Sequence, residues 1–78
     1  MDMNSFIKNL EGAFEGLSPG SLTSGTEFRK LEQWDSISVL NILAMMDSEY
    51  DVQLNRAEIG NCNTVQDIFE LVKKKKAS

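Results

Sequence analysis

The strongest constraint on the fold lies between Ser36 and Tyr50, where apolar side chains repeat at helical spacing. Five of these side chains fall within roughly 100° of one another on a wheel built at about 3.6 residues per turn. They are Val39, Ile42, Leu43, Met46 and Tyr50. A stripe of this width is typical of an amphipathic α-helix with one face in a core. The segment 36–50 is therefore predicted to be a long helix.

A second apolar sector lies on the same segment and consists of Ile37, Leu40 and Ala44. A helix in a small bundle needs only one buried stripe. The second sector is therefore either covered by a neighbouring element or exposed as a surface for a partner. The pattern alone favours neither alternative.

The segment that precedes this helix divides into two parts. Residues 3–16 carry a helical stripe that includes Phe6 and Leu10, which predicts a first helix. Residues 17–35 are rich in Ser, Thr and Gly and predict a long connection, pinned to the helices by apolar side chains such as Phe28.

Two capping patterns predict the remaining helices. Asn55 with Glu58 three positions later is a capping box for a short helix that ends at Gly60, and Thr64 with Asp67 is a weaker box for a last helix. No alternating strand pattern of useful length appears. We therefore predict an all-α fold, a small four-helix bundle of three main helices and one short helix, with a long first loop.

Length and charge limit the classes of partner. The 78 residues are enough for one small domain, and we expect residues 1–78 to form it. Apart from the run Lys73–Lys76, the chain carries 12 acidic and four basic side chains, a net charge of −8 that repels nucleic acid. The lysine-rich end, residues 72–78, is either a tail for nucleic acid or membrane, or a solvated helix end. The second interpretation is favoured because no aromatic residue is interleaved with the lysines.

The residue content argues against catalysis or metal binding by this chain alone. There is no histidine and only one cysteine, Cys62, which excludes histidine-based triads and the usual zinc sites. Asp47, Glu49 and Asp51 lack the rest of a calcium loop. We expect neither enzyme activity nor a resident metal. The lone cysteine, with no signal-peptide pattern and no apolar run of membrane length, favours the cytoplasm.

The most informative polar residues are Asp35 and Ser36, at the junction between the long loop and the predicted helix. A serine there lies beside first-turn amides that have no intrahelical partner. Those amides and the positive end of the helix dipole favour an anion, so the site suits a phosphate ester on the serine oxygen. The alternative is that Ser36 is simply the N-cap of the helix.

The sequence around this serine resembles the phosphopantetheine attachment region of acyl carrier proteins. The resemblance is carried by Asp35-Ser36-Ile37, then Val39-Leu40, and Tyr50-Asp51-Val52 at the end of the same helix. It extends over nearly the whole chain. The other matching positions are Phe6, Ile7, Leu10 and Leu17 in the first helix, Phe28 and Leu31 in the loop, and Thr64-Val65 at the start of the last helix.

By that resemblance, Ser36 Oγ would carry 4′-phosphopantetheine through a phosphodiester, with coenzyme A as donor and a separate phosphopantetheinyl transferase as catalyst. The thiol of the arm would hold acyl intermediates as thioesters in fatty acid, polyketide or related specialised biosynthesis. Asp35 would help to position the transferase, its metal ion or basic residues of partners. The partners would be acyl-loading and chain-processing synthase enzymes, and the carrier would be a monomer that binds neither nucleic acid nor membrane.

The resemblance also implies two further groups of residues. A docking face for partner enzymes would consist of Ile37, Leu40, Ala44, Asp47, Glu49 and Asp51. A shelter for a short acyl chain, formed where helices part, would consist of Val39, Leu43, Met46, Ile59 and Ile68.

The chain departs from typical fatty-acid carriers in two respects. It has Leu31-Glu32-Gln33-Trp34 where many of them have a Leu-Gly step before Asp-Ser, and Ser38, Asn41 and Ser48 stand where they often have acids. Fewer charges weaken steering towards basic partner surfaces, which favours a dedicated partner enzyme. Two alternatives stay open: an aminoacyl or peptidyl carrier, and an unmodified helical interaction module.

Overall fold

The computed structural model describes residues 2–77, which form four α-helices and no β-strand. They are α1 (Met3–Glu11), α2 (Ser36–Tyr50), α3 (Arg56–Gly60) and α4 (Val65–Ala77), with a 3₁₀ turn at Phe28–Lys30. The predicted all-α fold, with three main helices, one short helix and a long first loop, is confirmed.

One hydrophobic core holds the helices together, and all four contribute to it. Phe6 of α1 is fully buried and packs edge-on against Phe69 of α4, with ring centroids 5.3 Å apart. Ile42 and Met46 enter the core from α2, and Ile59 enters it from α3. Burial of side chains of this size is the main stabilising term in a domain this small.

The first helix is shorter than predicted, because α1 ends at Glu11 instead of continuing to residue 16. Gly12 is its C-cap, and the chain then turns through Gly16, whose φ of 78° suits glycine. The Glu11 carboxylate accepts hydrogen bonds from the Gly20 and Leu22 N–H groups and so folds the loop back along α1. Phe14 still reaches the core, which explains why its spacing resembled a continued helix.

The long loop is anchored at several points and delivers the chain to the start of α2. Its buried Phe28 packs against Trp34, with ring centroids 5.2 Å apart. The N–H groups of Val65 and Gln66, in the first turn of α4, donate to carbonyls of the loop at 3.1 and 2.8 Å. These bonds use first-turn amides that the helix itself cannot satisfy.

Candidate functional site at the start of α2

Asp35, and not Ser36, is the N-cap of α2. Its Oδ1 accepts a hydrogen bond from the Ser38 N–H at 2.7 Å. The Ser38 hydroxyl accepts from the Asp35 N–H at 2.9 Å and donates to the Asp35 carbonyl at 2.8 Å. This closed capping box excludes the alternative in which Ser36 caps the helix.

Ser36 is the first residue of α2 and is exposed to solvent. Its side chain makes no hydrogen bond to any other residue in the described range 2–77. The first intrahelical bond near it runs from the Val39 N–H to the Asp35 carbonyl at 3.2 Å. The Ser36 and Ile37 amides therefore belong to the open first turn, where the helix dipole favours an anion. A phosphodiester on Ser36 Oγ would be exposed to solvent and would lie beside these first-turn amides.

An apolar patch borders this hydroxyl. The exposed fractions of Ile37 and Leu40 are 53% and 55%, and these are the large hydrophobic side chains of the described structure that stand out to solvent. Their exposure excludes the interpretation in which a neighbouring element covers the second apolar sector. Ser38, by contrast, is buried on the opposite side of the helix.

The predicted docking residues fall on two different sides of α2. A spacing of three to four residues places Leu40, Ala44, Asp47 and Asp51 below Ser36 on one outward side, and all four are exposed. Glu49 lies elsewhere.

Glu49 belongs to a row with Asn41 and Met45, and these three residues line a groove against α1 that also includes Lys8. Asn41 Nδ2 donates to the Ala13 carbonyl at 3.2 Å in the same region. Asp47 and Asp51 thus lie on the same side of α2 as the apolar patch but further along the helix, and Glu49 lies on a different side.

The predicted acyl-shelter residues all face the interior. Met46 and Ile68 are fully buried, Val39 and Ile59 are buried, and Leu43 is half-buried. Met46, Ile59 and Ile68 belong to the hydrophobic core, so they are packed within it rather than around an open space. An open groove of about 640 Å³ lies instead between α1 and the loop, lined by residues such as Ile7 and Leu17.

The structure gives a local structural role to each of three residues around the site. Ser38 completes the capping box, and its only sequence signal was a polar residue at the third helical position. Asp51 is the C-cap of α2 in the left-handed conformation, with φ 54° and ψ 40°. Trp34 is half-buried and packs against Phe14 as well as Phe28, so it supports the loop just before the capping box.

The lysine run is part of α4 and packs back onto the bundle. Lys75 forms an ion pair with Glu58 of α3 at 2.7 Å. Lys76 donates to the Tyr50 carbonyl at 3.0 Å, and Lys73 lies over the Phe69 ring at 5.5 Å from its centroid. The last residue of the chain, 78, lies outside the described residues.

Cys62 follows α3 and is buried, with its thiol donating to the Glu58 carbonyl at 3.5 Å. Burial raises the pKa of the Cys62 thiol, and the nearby Asp67 carboxylate raises it further. A thiol with a raised pKa has little thiolate and therefore low reactivity. Cys62 is therefore a small buried residue rather than a reactive thiol.

Two properties of the described residues, and the comparisons with known proteins, bear on the class of site. Residues 2–77 contain no cluster of three or more side chains able to hold a metal ion. None of the helices within that range has both the length and the apolar character needed to cross a membrane. Comparisons with protein-family models, with curated proteins and with solved structures each return no match.

Proposed function

We propose that this protein is an acyl carrier, in which Ser36 Oγ is esterified with 4′-phosphopantetheine. The observation that carries the proposal is the exposed Ser36 hydroxyl at the first position of α2, left free because Asp35 caps the helix. The bound group would supply a flexible thiol that holds an acyl chain as a thioester.

The transfer would be catalysed by a separate phosphopantetheinyl transferase. The Ser36 oxygen would form a phosphodiester bond to the pantetheine phosphate of coenzyme A as the pyrophosphate bond breaks, and the nucleotide bisphosphate would leave. The hydroxyl proton would pass to a base of the transferase. Asp35 uses Oδ1 for the cap, and its second carboxylate oxygen makes no bond within residues 2–77, so it can meet a cation of the transferase.

The surface below Ser36 would dock partner enzymes. Ile37 and Leu40 form its apolar centre, and Asp47 and Asp51 supply charge about two and three turns beyond Leu40. Residues 36–46 contain no charged side chain. Docking near the arm would therefore rest on apolar contact, and charge would act mainly at the far end of the helix. Tethering raises the effective concentration of the acyl group at each enzyme.

We place this carrier in the cytoplasm as a monomer, where fatty acid, polyketide or related specialised synthases would load and process its cargo. The single cysteine, Cys62, is buried and has no cysteine to pair with in this chain, which supports a reducing compartment. The acidic surface supports partners with basic rims rather than nucleic acid.

Intact-protein mass spectrometry tests the proposal. After incubation with coenzyme A and a phosphopantetheinyl transferase of broad specificity, the protein should gain the mass of one phosphopantetheine. Ser36→Ala should gain nothing, and Ser48→Ala, which alters another exposed serine of α2, should be modified like the parent. An unchanged mass of the parent contradicts the proposal, and a modified Ser36→Ala protein contradicts the site.

One observation favours a second candidate, the unmodified interaction module. The exposed apolar patch of Ile37 and Leu40 suits a partner helix without any prosthetic group. A pull-down that compares apo and modified protein separates the two functions. Equal capture of partners by both forms supports the module, whereas capture that depends on the arm supports the carrier.

A further inference from the structure

The shelter expected for an acyl chain is closed, so an element has to move before a chain can enter. Met46 and Ile68 are fully buried, and Ile59 is 1% exposed. Of the four helices, α3 is the shortest and buries the fewest side chains. It has five residues, and Ile59 is its single buried side chain. Each of the others buries at least two side chains. The lowest-cost opening of this core is therefore displacement of α3.

Two cationic side chains from other elements hold α3 in place. On one side, Lys75 of α4 pairs with Glu58 at 2.7 Å, and both side chains are partly buried. At the other end, Arg29 of the 3₁₀ turn donates through Nη1 to the Gly60 carbonyl at 3.0 Å. The Nη2 group of Arg29 also donates to Asn63 Oδ1, just beyond the helix. Charge-assisted bonds of this kind are stronger than neutral ones.

We propose that Lys75 and Arg29 form a latch that holds α3 closed over the core, and that its release admits the aliphatic part of an acyl chain beside Ile59. The cargo half of this proposal rests on the proposed carrier function. The latch itself does not, because it concerns contacts that the unmodified chain already makes.

Cys62 is a built-in reporter of the opening. It lies two residues beyond the end of α3 and is 5% exposed. Its N–H donates to the Ile59 carbonyl at 3.0 Å and its thiol to the Glu58 carbonyl at 3.5 Å. A thiol reagent can reach it only when this end of α3 moves. In a Ser36→Ala background no prosthetic thiol can be attached, so Cys62 is the single thiol present.

The test measures the rate at which a disulfide reagent labels Cys62 under native conditions, relative to the rate in urea. Lys75→Gln should raise the relative rate about three- to tenfold, the range expected for losing a partly buried charged contact. Arg29→Gln, which removes charge-assisted bonds that are exposed to solvent, should raise it about two- to fivefold. Lys74→Gln, which alters an exposed lysine of the same helix, should change it less than about twofold. Equal rates in the latch variants and in Lys74→Gln would overturn the latch. The latch would also be overturned if Cys62 of the parent were labelled only through global unfolding, as judged from the free energy of unfolding measured by urea denaturation.

A second measurement tests the cargo half. The wild-type protein and the Arg29→Gln/Lys75→Gln double variant are loaded with octanoyl or acetyl thioester, and cleavage by hydroxylamine is followed. The latch variant should protect the octanoyl thioester more than the wild type does and leave acetyl cleavage unchanged. Identical rates of octanoyl thioester cleavage in the two proteins would refute the proposal that the latch controls entry of the acyl chain. Failure to load Ser36 would overturn the carrier function and the cargo half together, while the Cys62 rates would still decide the latch.

Discussion

Replacing Asp35 with alanine should destabilise the protein, whereas replacing the adjacent Ser36 should not. Asp35 Oδ1 accepts a hydrogen bond from the Ser38 N–H, and the Ser36 side chain makes no hydrogen bond within the described residues. Loss of an N-cap costs about 1 kcal/mol, in a range of about 0.5–2 kcal/mol. An exposed substitution away from such features stays within about 0.5 kcal/mol.

Ser38, the partner of Asp35 in the capping box, allows a second change in the free energy of unfolding to be predicted. Ser38→Ala removes both bonds that the Ser38 hydroxyl makes to the Asp35 backbone and leaves the Asp35 N–H unpaired, at a cost of about 1–2 kcal/mol. Because the two residues share one box, the double variant should lose less than the two single losses added together, by about 0.5–1 kcal/mol. For a chain of this size, 1 kcal/mol corresponds to a drop in Tm of about 4–8 °C.

Urea denaturation followed by circular dichroism measures these free energies of unfolding, and Asp47→Ala is the matched control because Asp47 is an exposed acid of the same helix outside the cap. Unchanged m-values would show that only stability moved. A loss of about 1 kcal/mol or more in Ser36→Ala, with no loss in Asp35→Ala, would refute the reasoning. That result would show that Ser36 caps the helix. Its hydroxyl would then be hydrogen-bonded, whereas the carrier function requires it to be free.

Three further predictions concern pH, the two sides of α2 and the first loop. The Lys75 ammonium lowers the pKa of Glu58, and backbone N–H bonds lower that of Asp67. Their stabilisation is therefore fully present above the ordinary carboxylate pKa of about 4 and is lost below it, as the pH falls towards and through the lowered pKa of each group, measurable as Tm against pH. Leu40→Ser should leave the free energy of unfolding within about 0.5 kcal/mol, whereas Ile42→Ala should cost about 2–5 kcal/mol, and equal losses in urea denaturation would contradict the assigned faces. Gly16→Ala should cost about 1 kcal/mol, because alanine strains at a φ of 78°, and an unchanged Tm would contradict that backbone conformation.

Helix existence could be read from the sequence where periodicity and caps agreed. The predicted segment 36–50 is confirmed residue for residue by α2, and the Asn55 and Thr64 boxes mark the starts of α3 and α4. The end of α1 was wrong because Phe14 keeps a helical spacing while the backbone turns at Gly12. Periodicity reports which side chains return to the core and does not report the backbone path between them.

The site was harder to predict because its details depend on backbone angles and on distant residues. Asp and Ser are both favoured N-caps, and the choice between them depends on the extended conformation of Asp35 and on Ser38 closing the box. The latch joins Arg29 to Gly60 and Glu58 to Lys75 across the fold, so no local pattern announces it.

The mass of the protein purified from its native cells tests the central claim most directly. We predict a species heavier than the sequence by one phosphopantetheine, with or without an acyl group, and fragmentation that places this group on Ser36. A protein recovered only at its unmodified mass, or modified at another residue, would contradict the account.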